Sequence, residues 1–402
     1  MRGPIWVAGG TMVAAALSFA FQTGLSLIMS ESAFGVVASA MIGAAALAVF
    51  TSMGSQNVML DAVERQGRSA RDVVKPYLRI WGTTSVIGAT VVGIVVAVVP
   101  ALGSALAFTV ALCCMISLFS ILASSRQSAR DFPGVGLLLI APEAAKVIAL
   151  AALWLAGLED LHAAYWLMSG AFAAACLITI LLGLPSARGI SPLTWRDVAV
   201  AGFPYALSGL LFMLYYRASI LVMSSQGYLT EAGSLAVIYL FITAILMLPN
   251  AYSQRFLLGR WHAVSGKRPE VFRSELKRQV LSVLAFTIPI SAAWFFCSRG
   301  VLAWLYGDAY LLAQQWAPAF ALVLLSRGVN IPLQAASSIA SLRWPRTWVI
   351  CAAAAVTVGL TIALLPSIGF ASAYWAALAA EVVLASALYI MLHRRGKARS
   401  VD

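Results

Sequence analysis

The chain has 402 residues, of which 61% are hydrophobic and only 10% are charged. Because soluble domains carry about 25% charged residues, this composition excludes a soluble protein. The formal net charge of +12 by itself would suit a nucleic-acid-binding protein, but the basic residues are concentrated in loops between apolar runs, so we predict no nucleic-acid partner.

Apolar runs recur from one end of the chain to the other. Each has about 20 residues, the length that crosses the hydrocarbon core as a helix, and none alternates as barrel strands do. We therefore predict an all-α integral membrane protein with about 12 transmembrane helices. The predicted spans are residues 5–29, 35–60, 78–99, 102–123, 134–156, 162–184, 198–223, 233–254, 279–297, 311–340, 346–366 and 371–392. The tenth contains Pro332, which predicts a kink or a split.

Charged residues in the loops predict the orientation. Alternate loops hold nearly all of the Arg and Lys residues, whereas the opposite loops hold acidic residues such as Glu31, Glu231 and Asp308. By the positive-inside rule, both termini of this multi-pass protein are predicted to be cytoplasmic, in a bacterial inner membrane. The basic residues also suit contact with the anionic headgroups of membrane lipids.

Two loops carry further information. The basic cytoplasmic loop at about residues 255–278 has Trp261, Phe272 and Leu276 among its charges, which predicts a segment on the inner membrane surface. The longest outer loop, residues 298–310, is short, so no soluble catalytic domain is predicted.

The sequence contains no motif that is typical of cofactor or nucleotide binding. The five cysteines have no metal-binding spacing, and no phosphate-binding G-x-x-x-x-G-K-[ST] run is present. We therefore predict no cofactor, no metal and no enzymatic activity.

The two halves of the chain resemble each other. When Gly35 is aligned with Gly233, Ser55 and Gln56 align with Ser253 and Gln254 without a gap. We therefore predict an N-terminal six-helix lobe at residues 1–190 and a C-terminal lobe at residues 191–402. Transporters built from such repeats bind substrate between the halves, near the membrane midplane.

Three stretches resemble one family. EAGSLAVIYLFITAILMLPNAY, with Gly233 and Pro249, resembles the eighth helix of the Wzx-type polysaccharide flippases of the MOP exporter superfamily. LYGDAYLLAQQWAPAFALVLL resembles that family's G-x-x-Y-x-x-A entry to the tenth helix, and FGVVASAMIGAAALAVFTSMG resembles its second helix. The resemblance implies a MATE-like bundle of two lobes around a central cavity that opens alternately to each side, with a lipid-linked sugar as cargo.

One position departs from the family pattern. The seventh helix of these flippases often carries an arginine followed two positions later by an aspartate, and here the two residues are Arg217 and Ser219. Any mechanism that needs this carboxylate is therefore in doubt.

Five charged residues fall well within predicted spans, away from their ends: Glu143, Lys146, Arg217, Arg327 and Glu381. Charges at membrane depth usually face a cavity or pair with each other. Three cations against two carboxylates predict a net positive interior. Such an interior suits an anionic head such as a pyrophosphate, whose oxygens an arginine binds bidentately.

The face of the tenth span is the strongest pattern. At 100° per residue, one side changes from aromatic to polar residues, which predicts that this side lines the cavity. Its members are Trp316, Phe320, Val323, Arg327, Asn330, Gln334 and Ser338. The alternative is that Arg327 bonds to backbone groups that Pro332 frees.

Each of the other charged positions has two interpretations. Arg217 either lines the cavity or extends to the headgroups, and Glu143 with Lys146 either form a structural pair or place Lys146 in the cavity. Glu381 either pairs with an arginine or takes up a proton. Gln22 lies on a polar side of the first span, which either lines the cavity or packs against other helices.

Together these patterns predict a flippase for an undecaprenyl-pyrophosphate-linked oligosaccharide in polysaccharide biosynthesis. The predicted substrate-binding residues are Arg327, Arg217, Lys146, Asn330, Gln334, Trp316 and Gln22. Glu143 and Glu381 are candidates for proton coupling or charge balance. Expected partners are the lipid-linked glycan, membrane lipids, a polysaccharide polymerase and export machinery.

Three alternatives remain. A cation-coupled multidrug exporter of the same superfamily would favour an acidic cavity. A peptidoglycan-precursor flippase usually has two extra helices. A membrane polysaccharide polymerase or ligase typically has a large outer loop.

Overall fold

The computed structural model describes residues 3–64, 70–98, 100–157, 160–181, 194–252, 269–337 and 342–398. Within these ranges the regular structure is helical, without strands. Eleven described stretches are long and apolar enough to cross a membrane. The predicted all-α membrane fold is therefore confirmed.

The helices of the first half are α1 (Gly3–Ile28), α2 (Glu31–Ser52), α3 (Ser55–Glu64), α4 (Ala70–Val98), α5 (Pro100–Ser128), α6 (Phe132–Ala156) and α7 (Leu161–Leu181). Those of the second half are α8 (Trp195–Ser225), α9 (Leu229–Tyr252), α10 (Pro269–Tyr306), α11 (Leu311–Trp316), α12 (Ala321–Ser337), α13 (Arg343–Ile368) and α14 (Ala371–Ala398).

The tenth predicted span is split, but not at Pro332. The helix stops after Trp316 and resumes at Ala321, and α12 then continues through Pro332. Pro318 lies inside the break, where its ring and missing N–H oppose a continuous helix. The indole Nε1 of Trp294 donates to the carbonyl oxygen of Ala317 at 2.8 Å, which satisfies a backbone acceptor at the break. Neither piece is long enough to count as a span, so eleven are found instead of twelve.

Helix α10 is longer than predicted at both ends. Residues 269–278, which belong to the predicted basic loop, form the first turns of α10. Residues 298–306, which belong to the predicted outer loop, form its last turns. Phe272 and Leu276 pack into a core cluster with Leu384 and Leu388, so these two side chains contact other helices of the protein. The position of the basic loop on the inner membrane surface stays a prediction. Trp261 lies outside the described residues.

The chain divides into two compact units. The first, called the N-terminal unit, comprises Met1–Ser30 and Ser39–Leu210, and the second, the C-terminal unit, comprises Glu31–Ala38 and Leu211–Asp402. The chain passes from the N-terminal to the C-terminal unit between α1 and α2, returns within α2, and passes to the C-terminal unit again within α8. The predicted lobes, with their boundary at 190 and 191, stay a prediction.

Helix pairing repeats between the halves. In the first half α4 packs on α5, α5 on α7 and α6 on α7. In the second half α10 packs on α12, α12 on α14 and α13 on α14, in the same order along the chain. This correspondence supports the internal repeat that the aligned glycines predict.

The aligned glycines of the repeat are in direct contact within the C-terminal unit. A Cβ on Gly35 would collide with the carbonyl oxygen of Leu229, and a Cβ on Gly233 would collide with that of Glu31. Each carbonyl belongs to the residue four positions before the opposite glycine. The hydroxyl of Ser234 donates to the Glu31 carboxylate at the same crossing. The first turns of α2 and α9 therefore approach as closely as glycine allows.

The G-x-x-Y stretch forms a tight turn before α11. Gly307 and Tyr310 both have left-handed backbone conformations, with φ of 57° and 58°. The Gln314 amide donates to the carbonyls of Gly307 at 2.7 Å and Ala309 at 3.0 Å. The ring of Tyr310 packs edge-on against Phe34, and burial raises the pKa of its phenol. This turn thus packs, through a neutral ring, on the start of α2.

Candidate functional site

Four of the predicted site residues lie together in the C-terminal unit. Arg217 comes from α8, Arg327 and Asn330 from α12, and Glu381 from α14. The i, i+3 spacing of Arg327 and Asn330 puts both on the face of α12 that packs on α14.

The centre of the cluster is a buried ion pair. Arg327 Nε donates to Glu381 Oε1 at 2.7 Å, and the two side chains are 4% and 0% exposed. Asn330 Nδ2 donates to the other carboxylate oxygen at 2.7 Å and to the Glu381 backbone carbonyl at 3.0 Å. Both oxygens of Glu381 therefore accept from α12, as a buried carboxylate requires.

Two tyrosine rings lie against this ion pair. The guanidinium carbon of Arg327 is 3.8 Å from the ring centroid of Tyr216 and 4.7 Å from that of Tyr239. The two rings are themselves stacked, 6.0 Å apart with an interplanar angle of 28°. Arg327 Nη2 also reaches the backbone carbonyl of Tyr216 at 3.5 Å. A desolvated arginine over tyrosine gains favourable cation–π energy.

Arg217 packs against the same two rings. Its guanidinium carbon is 5.3 Å from the Tyr216 centroid and 5.8 Å from the Tyr239 centroid. Its Nη2 donates to Thr243 Oγ1 at 3.1 Å, and the same oxygen is 3.1 Å from the Tyr216 hydroxyl. Thr243 in turn donates to the Tyr239 carbonyl at 2.6 Å. The position of Arg217 is therefore fixed by α8 and α9.

The charge balance differs between the two arginines. Glu381 neutralises Arg327, whereas Arg217 makes no ion pair within the part of the chain that the structure describes. In the N-terminal unit, Lys146 Nζ pairs with Glu143 Oε1 at 2.7 Å, and these side chains are 8% and 18% exposed. Glu143 and Glu381 thus each have a cationic partner, whereas Arg217 has only neutral partners among the described residues.

The remaining predicted site residues lie outside the cluster. Trp316 packs on Phe370 and Tyr374, with centroids 5.9 and 6.0 Å away. Gln334 is half-buried on α12, one turn beyond Asn330. Gln22, on α1 in the N-terminal unit, contacts Ser18 Oγ at 3.4 Å. Ser338 lies outside the described residues.

Sequence reasoning missed the two tyrosines and Thr243. Tyr216 directly precedes Arg217, and Tyr239 and Thr243 are four residues apart on α9, so that they share one helix face. An arginine in an apolar helix beside a tyrosine was the available signal.

The position of the missing family carboxylate holds a neutral contact. Ser219 Oγ and Thr361 Oγ1 are 2.9 Å apart and buried. Two hydroxyls thus satisfy each other where an aspartate would have brought a second negative charge. Within the described ranges, no group of three or more His, Cys, Asp or Glu residues could hold a metal ion.

Comparison with known proteins identifies the fold. No model of a protein family and no curated protein matches the sequence. Among solved structures, an inward-facing multidrug resistance MATE transporter of the MOP superfamily has a TM-score of 0.70 at 13% identity, over 98% of both chains. An outward-facing MATE transporter of that superfamily has a TM-score of 0.66 at 13% identity, over 99% of this chain and 96% of that one.

A third neighbour differs in its described polarity. It is a MOP superfamily transporter from Pyrococcus furiosus, with a TM-score of 0.57 at 12% identity over 99% of this chain and 95% of that one. Its description states that reverse polarity of the binding pocket suggests a different function. From the near-complete coverage of all three structures, we conclude that the chain has the fold of the MATE transporters of the MOP superfamily.

Proposed function

We propose that the chain is a Wzx-type flippase that moves an undecaprenyl-pyrophosphate-linked oligosaccharide across the bacterial inner membrane by alternating access. The observation that carries the proposal is Arg217, an arginine inside a membrane-spanning helix that makes no ion pair within the described residues. A charge at the centre of a membrane helix costs about 2.5–3.5 kcal/mol on insertion scales. An anionic ligand would offset that cost.

A pyrophosphate suits Arg217 because a guanidinium binds phosphate oxygens through two parallel hydrogen bonds. The tyrosines on which Arg217 packs hold it by cation–π contact and leave it without a competing carboxylate. In this proposal the pyrophosphate contacts Arg217 and the prenyl tail stays in the bilayer. The product then passes to a polysaccharide polymerase and export machinery.

The second candidate is a multidrug exporter. It is favoured by the names of the structural neighbours, two of which are multidrug resistance transporters. An organic cation would be repelled by Arg217, and Glu143 and Glu381 already have cationic partners. The Pyrococcus furiosus neighbour, whose reversed pocket polarity is described as suggesting a different function, shows that proteins of this fold are described with pockets of different polarity.

The test is a strain that lacks the gene. We expect undecaprenyl-pyrophosphate glycan to accumulate in the cytoplasmic leaflet, measured by mass spectrometry with leaflet-selective labelling. We also expect the surface polysaccharide to disappear, measured by mass spectrometry. Complementation with Arg217→Ala should fail, because the anion contact is gone. Arg278→Ala is the control, since the side chain of that arginine is exposed and the variant should complement fully.

Two results would contradict the proposal. Unchanged pools of lipid-linked glycan, together with greater sensitivity to cationic drugs, would support the exporter. Accumulation of the glycan lipid in the outer leaflet would place the defect after translocation, as for a polymerase or ligase.

A further inference from the structure

The two arginines of the cluster have different surroundings. Arg327 is almost fully buried and bonded to Glu381, which also accepts from Asn330. Its neutralised guanidinium packs against the rings of Tyr216 and Tyr239, 3.8 and 4.7 Å from their centroids. Arg217 lies against the same rings, is half-buried and has only neutral partners among the described residues.

The contacts run in sequence from Glu381 to Arg217. Glu381 fixes Arg327, the guanidinium of Arg327 lies under both tyrosine rings, and the rings with Thr243 hold Arg217. Moving Arg327 would therefore move the surface on which Arg217 rests. Without Glu381, two unneutralised guanidiniums would share one pair of tyrosines and repel each other.

We infer that Arg327 is a positioning residue rather than a ligand contact: the Arg327–Glu381 pair sets the Tyr216 and Tyr239 rings so that Arg217 is preorganised for the anionic head. This inference rests on the proposed function. Preorganisation raises affinity because a side chain that is already ordered loses less freedom when the ligand binds.

The experiment is a thermodynamic cycle on the full-length protein in lipid nanodiscs. The probes are undecaprenyl pyrophosphate and, as the uncharged comparison, undecaprenol. The variants are Arg217→Ala, the double replacement Arg327→Met with Glu381→Leu, and the triple combination. The double replacement removes both charges together, which buried pairs tolerate far better than the loss of one partner.

The expected results follow from the sequence of contacts. Arg217→Ala should weaken pyrophosphate binding roughly tenfold or more, the loss expected for a charge-assisted hydrogen bond. The double replacement should weaken it roughly fivefold, as expected for residues that are coupled through shared contacts. The triple variant should bind no more weakly than Arg217→Ala, because Arg327 acts through Arg217. Undecaprenol affinity should stay unchanged in all three.

Arg327→Lys is the conservative variant. It keeps the charge beside Glu381 but loses the planar group that covers two rings and reaches the Tyr216 carbonyl. We expect its pyrophosphate affinity to fall as in the double replacement. Glu275→Gln with Arg278→Met, which removes the ion pair on α10 but keeps a side-chain acceptor for Gln279, is the control and should bind both probes like the wild type.

Three outcomes would overturn the inference. If the effects of Arg217→Ala and the double replacement multiply in the triple variant, Arg327 contacts the ligand independently. If the double replacement weakens undecaprenol equally, the pair has a general structural role. If the wild type binds undecaprenyl pyrophosphate no more tightly than undecaprenol, the proposed function fails, and the inference fails with it.

Discussion

At the scale of single residues, the described part of the C-terminal unit contains one fully enclosed ion pair. Glu381 is 0% exposed and receives hydrogen bonds from Arg327 and Asn330. Removing one member of such a pair leaves a buried charge without a partner, whereas removing both leaves no buried charge, and the Asn330 amide keeps its bond to the backbone carbonyl of residue 381. Stability should therefore respond very differently to the single and the double change.

Glu381→Ala is expected to lower the free energy of unfolding by about 3–5 kcal/mol, because Arg327 stays buried without its counterion. The combined change Arg327→Met with Glu381→Leu should cost much less. Thermal unfolding of purified protein in detergent measures both. Equal losses of stability in the two variants would show that the carboxylate contributes through packing rather than charge.

Part of this cluster could be predicted from sequence. The spacing of Arg327 and Asn330 put both on one polar face, and pairing of Glu381 with an arginine was one of its two interpretations. The tyrosines could not be assigned, since their contact with Arg327 joins residues more than 80 positions apart and depends on tertiary packing. The ion pair also changes the interpretation of this polar face, which was predicted to line the cavity, because Arg327 is enclosed by protein.

At the scale of helices, α2 and α9 cross closely at Gly35 and Gly233, the two glycines that the predicted repeat aligns. A methyl group at Gly35 would meet backbone atoms of α9, which have no rotamer to change. Gly43, two turns later on the same helix, has open space around its missing Cβ. The two positions therefore form a matched pair.

Gly35→Ala is expected to destabilise the protein by about 1–3 kcal/mol through overpacking. Gly43→Ala should be neutral or stabilising by about 0.5–1 kcal/mol, since alanine is the better helix former. The comparison needs only thermal unfolding of both variants in the same detergent. A stable Gly35→Ala variant would mean that α2 and α9 can separate at little cost.

Helix boundaries show what local sequence could and could not predict. The tenth span was expected to break at Pro332, and the break lies around Pro318, where the Trp294 indole satisfies the Ala317 carbonyl. Two prolines in one apolar run look alike in sequence. They differ in their tertiary contacts, because Trp294 supplies a hydrogen-bond donor for the Ala317 carbonyl, which the helix break leaves without a helical partner. The helical packing of Phe272 and Leu276 is likewise not evident from sequence, because charged residues surround both in a segment that is predicted to be a loop.

At the scale of the whole molecule, apolar runs and loop charges carried most of the information. The all-α membrane architecture follows from run length alone. The orientation remains a prediction from the excess of Arg and Lys in alternate loops.

We expect alkaline phosphatase fused to the C-terminus to be inactive and green fluorescent protein fused there to fluoresce, because both report a cytoplasmic end. A phosphatase fusion after Gly227, in the predicted outer loop between α8 and α9, is the control and should be active. The opposite result at both positions would invert the predicted topology and reverse the direction of the proposed transport.

The crossing of Gly35 and Gly233 has an evolutionary consequence. Each glycine packs on the carbonyl four residues before the other, so the contact is the same when viewed from either helix. If a chain had only one of the halves, two copies of it would form this contact with the same glycine from each copy. One mutation of that glycine would then change both sides of the contact. In a chain formed by duplication and fusion, the two glycine positions can mutate separately, but the backbones of α2 and α9 remain in close contact there. They are therefore expected to keep a shared selective constraint long after the rest of the halves has diverged.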